Sequence, residues 1–62
     1  DVQIAWSSVS GRRYTVQRAD GTPAESNFRS IRTDIVADPS GRNELVDPVD
    51  KGTPRFYRVL CH

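Results

Sequence analysis

The stretch RFYRVLCH, residues 55–62, sets a thiol beside an imidazole. A cysteine nucleophile needs a general base within hydrogen-bond reach, normally brought from elsewhere in the fold and oriented by a third group. Cys61 and His62 are adjacent, and adjacent residues on a strand point to opposite faces, which spoils that geometry. The expectation is a protein that is not an enzyme. These two residues are also the only cysteine and the only histidine, too few soft ligands for a structural metal site. One cysteine cannot form a disulfide within the chain. Cys61 is expected to be a half-buried core thiol, with an intermolecular disulfide as the second reading.

Asp38, Asp47 and Asp50 fall in two proline-containing loops and are the candidate oxygen ligands for calcium. Their spacing matches no compact D-x-D-x-D loop, so turn formation is the expected role and no cofactor is assigned. Asp20, before Gly21, reads the same way. Arg13, Arg18, Arg29, Arg32, Arg55 and Arg58 would make a basic stripe if they shared one sheet face, fit for a phosphate or a sulfated glycan. The competing expectation is cross-strand pairing with Glu25, Asp34 and Glu44. Trp6, Tyr14, Phe28, Phe56 and Tyr57 are the aromatics. In so small a domain most of them belong in the core, and Phe56 stands apart because it faces away from Tyr57. No asparagine lies in an Asn-x-Ser/Thr sequon. Ser7, Ser8, Ser10, Thr22 and Thr53 lie in loop-like stretches that permit modification without predicting it.

The elements that would carry these groups are strands. No stretch has apolar residues at helical spacing behind a cap. Short alternating runs between Gly, Pro, Asp and Ser appear instead. In VQIAW, Val2, Ile4 and Trp6 share a face. A polar turn, residues 7–11, leads to RRYTVQRA, where Tyr14 and Val16 face together, and the two runs read as a hairpin. Residues 20–27 form a loop. FRSIRTDIVA follows, with Ile31 and Ile35 in phase and Phe28 out of phase, which predicts a bulge or break near Ser30. In DPSGRN, Pro39 presets one corner of a turn and Gly41 is free to take positive φ. ELVDP is a short strand with Leu45 inward. The loop of residues 47–54 comes next, and RFYRVLC is the last strand. Tyr57, Val59 and Cys61 take one of its faces and Phe56 and Leu60 the other, so it needs cover on both.

With 62 residues there is room for one domain, spanning the whole chain 1–62. A domain this small buries only about 60% of the surface its unfolded chain exposes. Without a staple or a metal, the remaining support is a neighbour, either a second copy or another domain. The chain opens without Met and inside an apparent strand, which predicts a processed product or a segment of something longer. Nine basic and eight acidic residues leave a net charge of +1, with Lys51 the only lysine. That balance supplies no long-range field for nucleic acid or an anionic membrane. No apolar run approaches the length of a membrane-spanning helix.

The order of these runs resembles fibronectin type III-like modules, the immunoglobulin-like β-sandwiches, especially small ones of secreted bacterial proteins. A strand ends in Trp6; a G-x-x-Y-x-V-Q strand follows through Gly11, Tyr14, Val16 and Gln17; an Asp47-Pro48 turn precedes a terminal F-Y-R-V strand. The resemblance covers nearly the whole chain. It implies that Tyr57 occupies a tyrosine corner, its hydroxyl bonding nearby backbone. A complete module has seven strands in roughly a hundred residues. This chain has room for about five, and the resemblance implies that the first and last edge strands are the missing ones.

The expected fold is therefore a small, incomplete all-β sandwich of about five antiparallel strands. Its core is expected at Ile4, Trp6, Tyr14, Val16, Ile31, Ile35, Leu45, Tyr57 and Val59. Val2, Phe56, Leu60 and Cys61 are the expected assembly interface. The expected function is that of an extracellular or cell-surface structural module that binds copies of itself or adjacent domains. Its sharp form is a head-to-tail fibre completed by strand addition. A carbohydrate-binding or adhesive module, with a glycan partner, is the alternative.

Overall fold

In the computed structural model, residues 1–48 and 52–62 are described. They form five strands: β1 (Val2–Ser7), β2 (Arg13–Asp20), β3 (Phe28–Val36), β4 (Arg42–Asp47) and β5 (Arg55–Cys61). A single 3-10 turn, Glu25–Asn27, is the only helical element among the described residues. No helix there is long and apolar enough to cross a membrane.

The strands make two antiparallel sheets, β1-β4 and β3-β2-β5. Trp6 of the first sheet packs against Tyr14 of the second, with ring centroids 6.0 Å apart. The sheets thus face one another as an all-β, sandwich-like pair of layers. The expected hairpin between the first two runs does not form. β1 pairs with β4, from Val2↔Asp47 to Ser7↔Arg42. Both edges of β2 are taken, one by β3 and the other by β5, so β1 has no place beside it. The turn itself is as expected: Arg12 N donates to Val9 O at 3.1 Å, and Gly11 has φ 86°. Such a turn serves a crossing between sheets as well as a hairpin.

The alternation of β1 follows the sequence. Val2, Ile4 and Trp6 are half-buried, while Gln3, Ala5 and Ser7 are exposed. Buried hydrophobic side chains are confined to β2, where Tyr14, Val16 and Ala19 form the core proper and Thr15 is buried beside them. Ile4, Trp6, Ile31, Ile35, Leu45, Tyr57 and Val59 are half-buried. Two layers of two and three strands cannot close over more than their central strand.

β3 carries the irregularity expected near Ser30. Val16 pairs with Arg32 and Gln17 with Ser30, so Ile31 is an extra residue on β3. Between Tyr14↔Ile35 and Val16↔Arg32 a second residue is extra, and Asp34 there has φ 57°. The bulges put Phe28 opposite Ala19 and Ile35 opposite Tyr14, on different faces of the sheet.

Candidate functional site

Every backbone N–H and C=O needs a partner, so a strand edge without one is the most reactive recognition surface of a sheet protein. Here the outer edges of β1, β4, β3 and β5 are unpaired among the described residues. They differ in how they are guarded. β3 is broken by its two bulges and carries Arg29, Arg32 and Asp34. β4 carries Arg42 and Glu44, which pair at 3.2 Å. Both devices discourage strand pairing. β1, VQIAWS, holds no charge and no bulge, and β5 runs in unbroken register with β2 over seven residues.

The ladder fixes which β5 groups face outward. His62 N donates to Arg13 O and Gly21 N to Pro54 O, both at 2.8 Å. In an antiparallel ladder the bonded pairs recur every second residue. Phe56, Arg58 and Leu60 therefore turn their backbone groups to β2. Arg55, Tyr57, Val59 and Cys61 turn theirs to the open edge.

Side chains hold the first half of β5 in place. Tyr57 Oη donates to Asp47 Oδ2 at 2.7 Å, and Arg18 Nη1 donates to the same oxygen at 2.8 Å. Asp47 is buried on β4, so this cluster ties the two sheets together. Burial alone would push the Asp47 carboxyl up. The hydrogen bonds from Arg18 and Tyr57 and the charges of Arg18 and Arg55 outweigh it, and the carboxyl lies below the usual range. Burial, with the bond to the Asp47 carboxylate, raises the Tyr57 hydroxyl. Arg55 Nη1 donates to Asp20 Oδ1 at 2.9 Å.

On the outer face, Arg58 grips Glu25 with Nη1 at 2.6 Å and Nη2 at 2.9 Å, donates Nε to Gln17 at 2.6 Å, and stacks 4.2 Å from the Phe28 ring centroid. Phe28 and Phe56 lie opposite Ala19 from either side, and Ala19 is fully buried between the strands that carry them. Beyond Arg58 the strand changes character. Val59, Leu60 and Cys61 carry no charge, and the first two are half-buried.

The structure corrects several sequence expectations. Asp47, expected in a loop, instead ends β4, and one of its oxygens holds Arg18 and Tyr57. Asp38 spends Oδ1 on Ser40 N at 2.9 Å inside the turn that Gly41 N closes onto Asp38 O. Asp50 lies outside the described residues, and no cluster of metal-ligating side chains occurs among those described. Among the described residues the Tyr57 hydroxyl bonds the Asp47 side chain and no backbone group, unlike a tyrosine corner. Tyr14 does bond backbone, accepting from Val9 N at 2.8 Å. Cys61 is not a core thiol: as the last residue of an edge strand it is exposed. The His62 ring engages Thr15 Oγ1 at 2.8 Å rather than the thiol. Ser8, expected in an exposed stretch, is buried.

The arginines form no single stripe, since Arg18 meets Asp47 between the sheets and Arg58 lies on the outer face. Of the acids expected to pair with them, Glu25 takes Arg58, while Asp34 stands 3.9 Å from Arg13. Glu44 takes Arg42 from its own strand. Among the expected interface residues, Val2 and Leu60 are half-buried and Phe56 and Cys61 exposed. The Asp47 cluster escaped sequence reasoning because Asp-Pro reads as a turn. Its one local signal was the phase of Asp47 with Leu45 on an inward-facing strand.

Comparison with protein-family models, with curated proteins and with solved structures gives no match for this chain.

Proposed function

We propose that this chain is a non-enzymatic structural module, extracellular or at the cell surface, that assembles with copies of itself or with adjacent domains by taking up strands at open sheet edges. The observation that carries the reading is the β5 edge: regular, unpaired, and uncharged over Val59–Cys61. The strand order β1-β4 and β3-β2-β5 supports the likeness to a fibronectin type III module lacking one outer strand in each sheet. The extracellular placement comes with that likeness. Strand addition supplies main-chain hydrogen bonds for affinity and alternate side-chain contacts for specificity. A filament, the sharp form of this reading, needs both the β1 edge and the uncharged end of the β5 edge to take up strands.

Carbohydrate binding stands second. It calls for aromatics in a row on an open face. Trp6, Tyr14 and Tyr57 are turned between the sheets, Phe28 is capped by Arg58, and Phe56 alone remains open.

Sedimentation of the chain at micromolar concentration, with and without reductant, tests the reading. The expected result is species larger than one chain that persist in reductant. A folded monomer at every concentration would overturn self-assembly.

A further inference from the structure

We infer that two copies of this chain join through β5, antiparallel across a two-fold axis at Val59, to make one continuous six-stranded sheet. The inference rests on the reading above and names its partner and register.

The choice of edge follows from protection and burial. β3 and β4 are guarded by bulges and charge. β1 is open, but the side chains that flank its edge on the outer face are Gln3, Ala5 and Ser7, which have little apolar surface to gain cover. β5 is half-buried on both faces from Tyr57 to Leu60. A strand added there covers Tyr57 and Val59 on the inner side and Leu60 on the outer side. Net charge of +1 puts little repulsion between copies.

The register follows from the ladder. Arg55, Tyr57, Val59 and Cys61 are the β5 residues whose backbone groups have no partner strand among the described residues, so bonded pairs must join members of that set. A two-fold at Arg58 would set Arg58 against its own copy and is disfavoured. A two-fold at Tyr57 would set Leu60 against Pro54 and Cys61 against Thr53, both outside β5, and leave the uncharged end with no strand opposite it. The axis at Val59 sets Val59 against Val59, Tyr57 against Cys61, Arg58 against Leu60 and Phe56 against His62. No like charges meet, and the Arg58 head stays on its own Glu25.

This register makes a counter-intuitive demand on the lone thiol. Each Cys61 faces Tyr57 of the other copy, so the two thiols stand four residues out of step, about 14 Å apart along the strands. That is too far for a disulfide. The native dimer is therefore indifferent to reductant. Two thiols placed at position 59 would instead sit in a bonded pair with Cα atoms about 5.5 Å apart, within disulfide reach.

The test is site-directed trapping. Cys61→Ser with Val59→Cys, oxidised by glutathione disulfide, should yield a covalent dimer in high yield, whereas the unsubstituted chain should yield little. Cys61→Lys provides a second variant that leaves an exposed position exposed; circular dichroism checks its fold. An edge lysine there should weaken dimerisation at least about tenfold, while Thr33→Lys on β3 should leave it unchanged. Assembly without trapping at 59, or equal loss from Thr33→Lys, overturns the β5 joint and leaves the wider reading standing. A monomer at every concentration overturns both.

Discussion

The hydroxyl of Tyr57 on β5 lies 2.7 Å from Oδ2 of Asp47 on β4, and so links the two sheets through a carboxylate that Arg18 also holds. Side-chain exposure is 9% at Asp47 and 26% at Arg18, so the pair is screened less than a surface ion pair. Asp47→Asn keeps the shape and removes the charge, leaving Arg18 to Asp20 at 3.2 Å alone. The expected loss of stability is about 2 kcal/mol. Tyr57→Phe removes one donor and leaves the ion pair, and should cost about 1 kcal/mol. Urea unfolding of both variants, in dilute solution to exclude assembly, measures the two losses and their order.

The same cluster predicts an acid limb. The Asp47 carboxyl is lower in the folded chain than in the unfolded one. The unfolded state therefore binds the proton first as pH falls, and unfolding is favoured. The stability is fully present above the ordinary carboxylate range and is lost as pH drops through the depressed folded value. Tyr57 has the opposite sign: its raised hydroxyl stabilises below the ordinary tyrosine range and that contribution disappears as pH climbs through the folded value. Urea midpoints across pH should fall at both ends, and Asp47→Asn should flatten the acid limb.

How much of this was legible in sequence depended on whether the signal was local. The alternation of VQIAW is a property of five residues, and β1 shows it without exception. The bulge near Ser30 was legible because Phe28 cannot share a period of two with Ile31 and Ile35. Gly41 at φ 82° closes its turn as Asp-Pro-Ser-Gly implies. What failed was pairing. A turn after Trp6 says that the chain reverses, but not which strand takes the edge of β2; that is decided by β3 and β5, which arrive later in the chain. The role of Asp47 failed for the same reason, since its partners lie ten and twenty-nine residues away.

Core substitutions should show how thin the interior is. Val16 is completely buried and Val46 is 53% exposed on the outer face of β4. Val16→Ala removes methyl groups from the central strand, where neighbours on both sides are fixed by the ladder, and should cost about 2–3 kcal/mol. Val46→Ala should stay within roughly 0.5 kcal/mol. A domain of this size has only a few kcal/mol in hand. Thermal melts should therefore show Val16→Ala largely unfolded at room temperature and Val46→Ala close to the parent.

The second bulge of β3 gives a test of backbone conformation with no change in packing. Asp34 sits in the left-handed region at φ 57°, its side chain largely exposed and only 3.9 Å from Arg13 at its nearest. A short polar side chain tolerates that conformation; a β-branched one does not. Asp34→Gly relieves the strain but loosens the unfolded chain, and the two effects nearly cancel. Asp34→Val keeps the strain and adds the clash of a branched Cβ, at a cost of about 1–2 kcal/mol. Valine also has the higher strand propensity, so a propensity argument predicts the reverse order. Melting temperatures of the two variants decide between them. If Asp34→Val matches or exceeds the parent, the bulge has straightened, and β3 has lost the irregularity that keeps its edge from pairing.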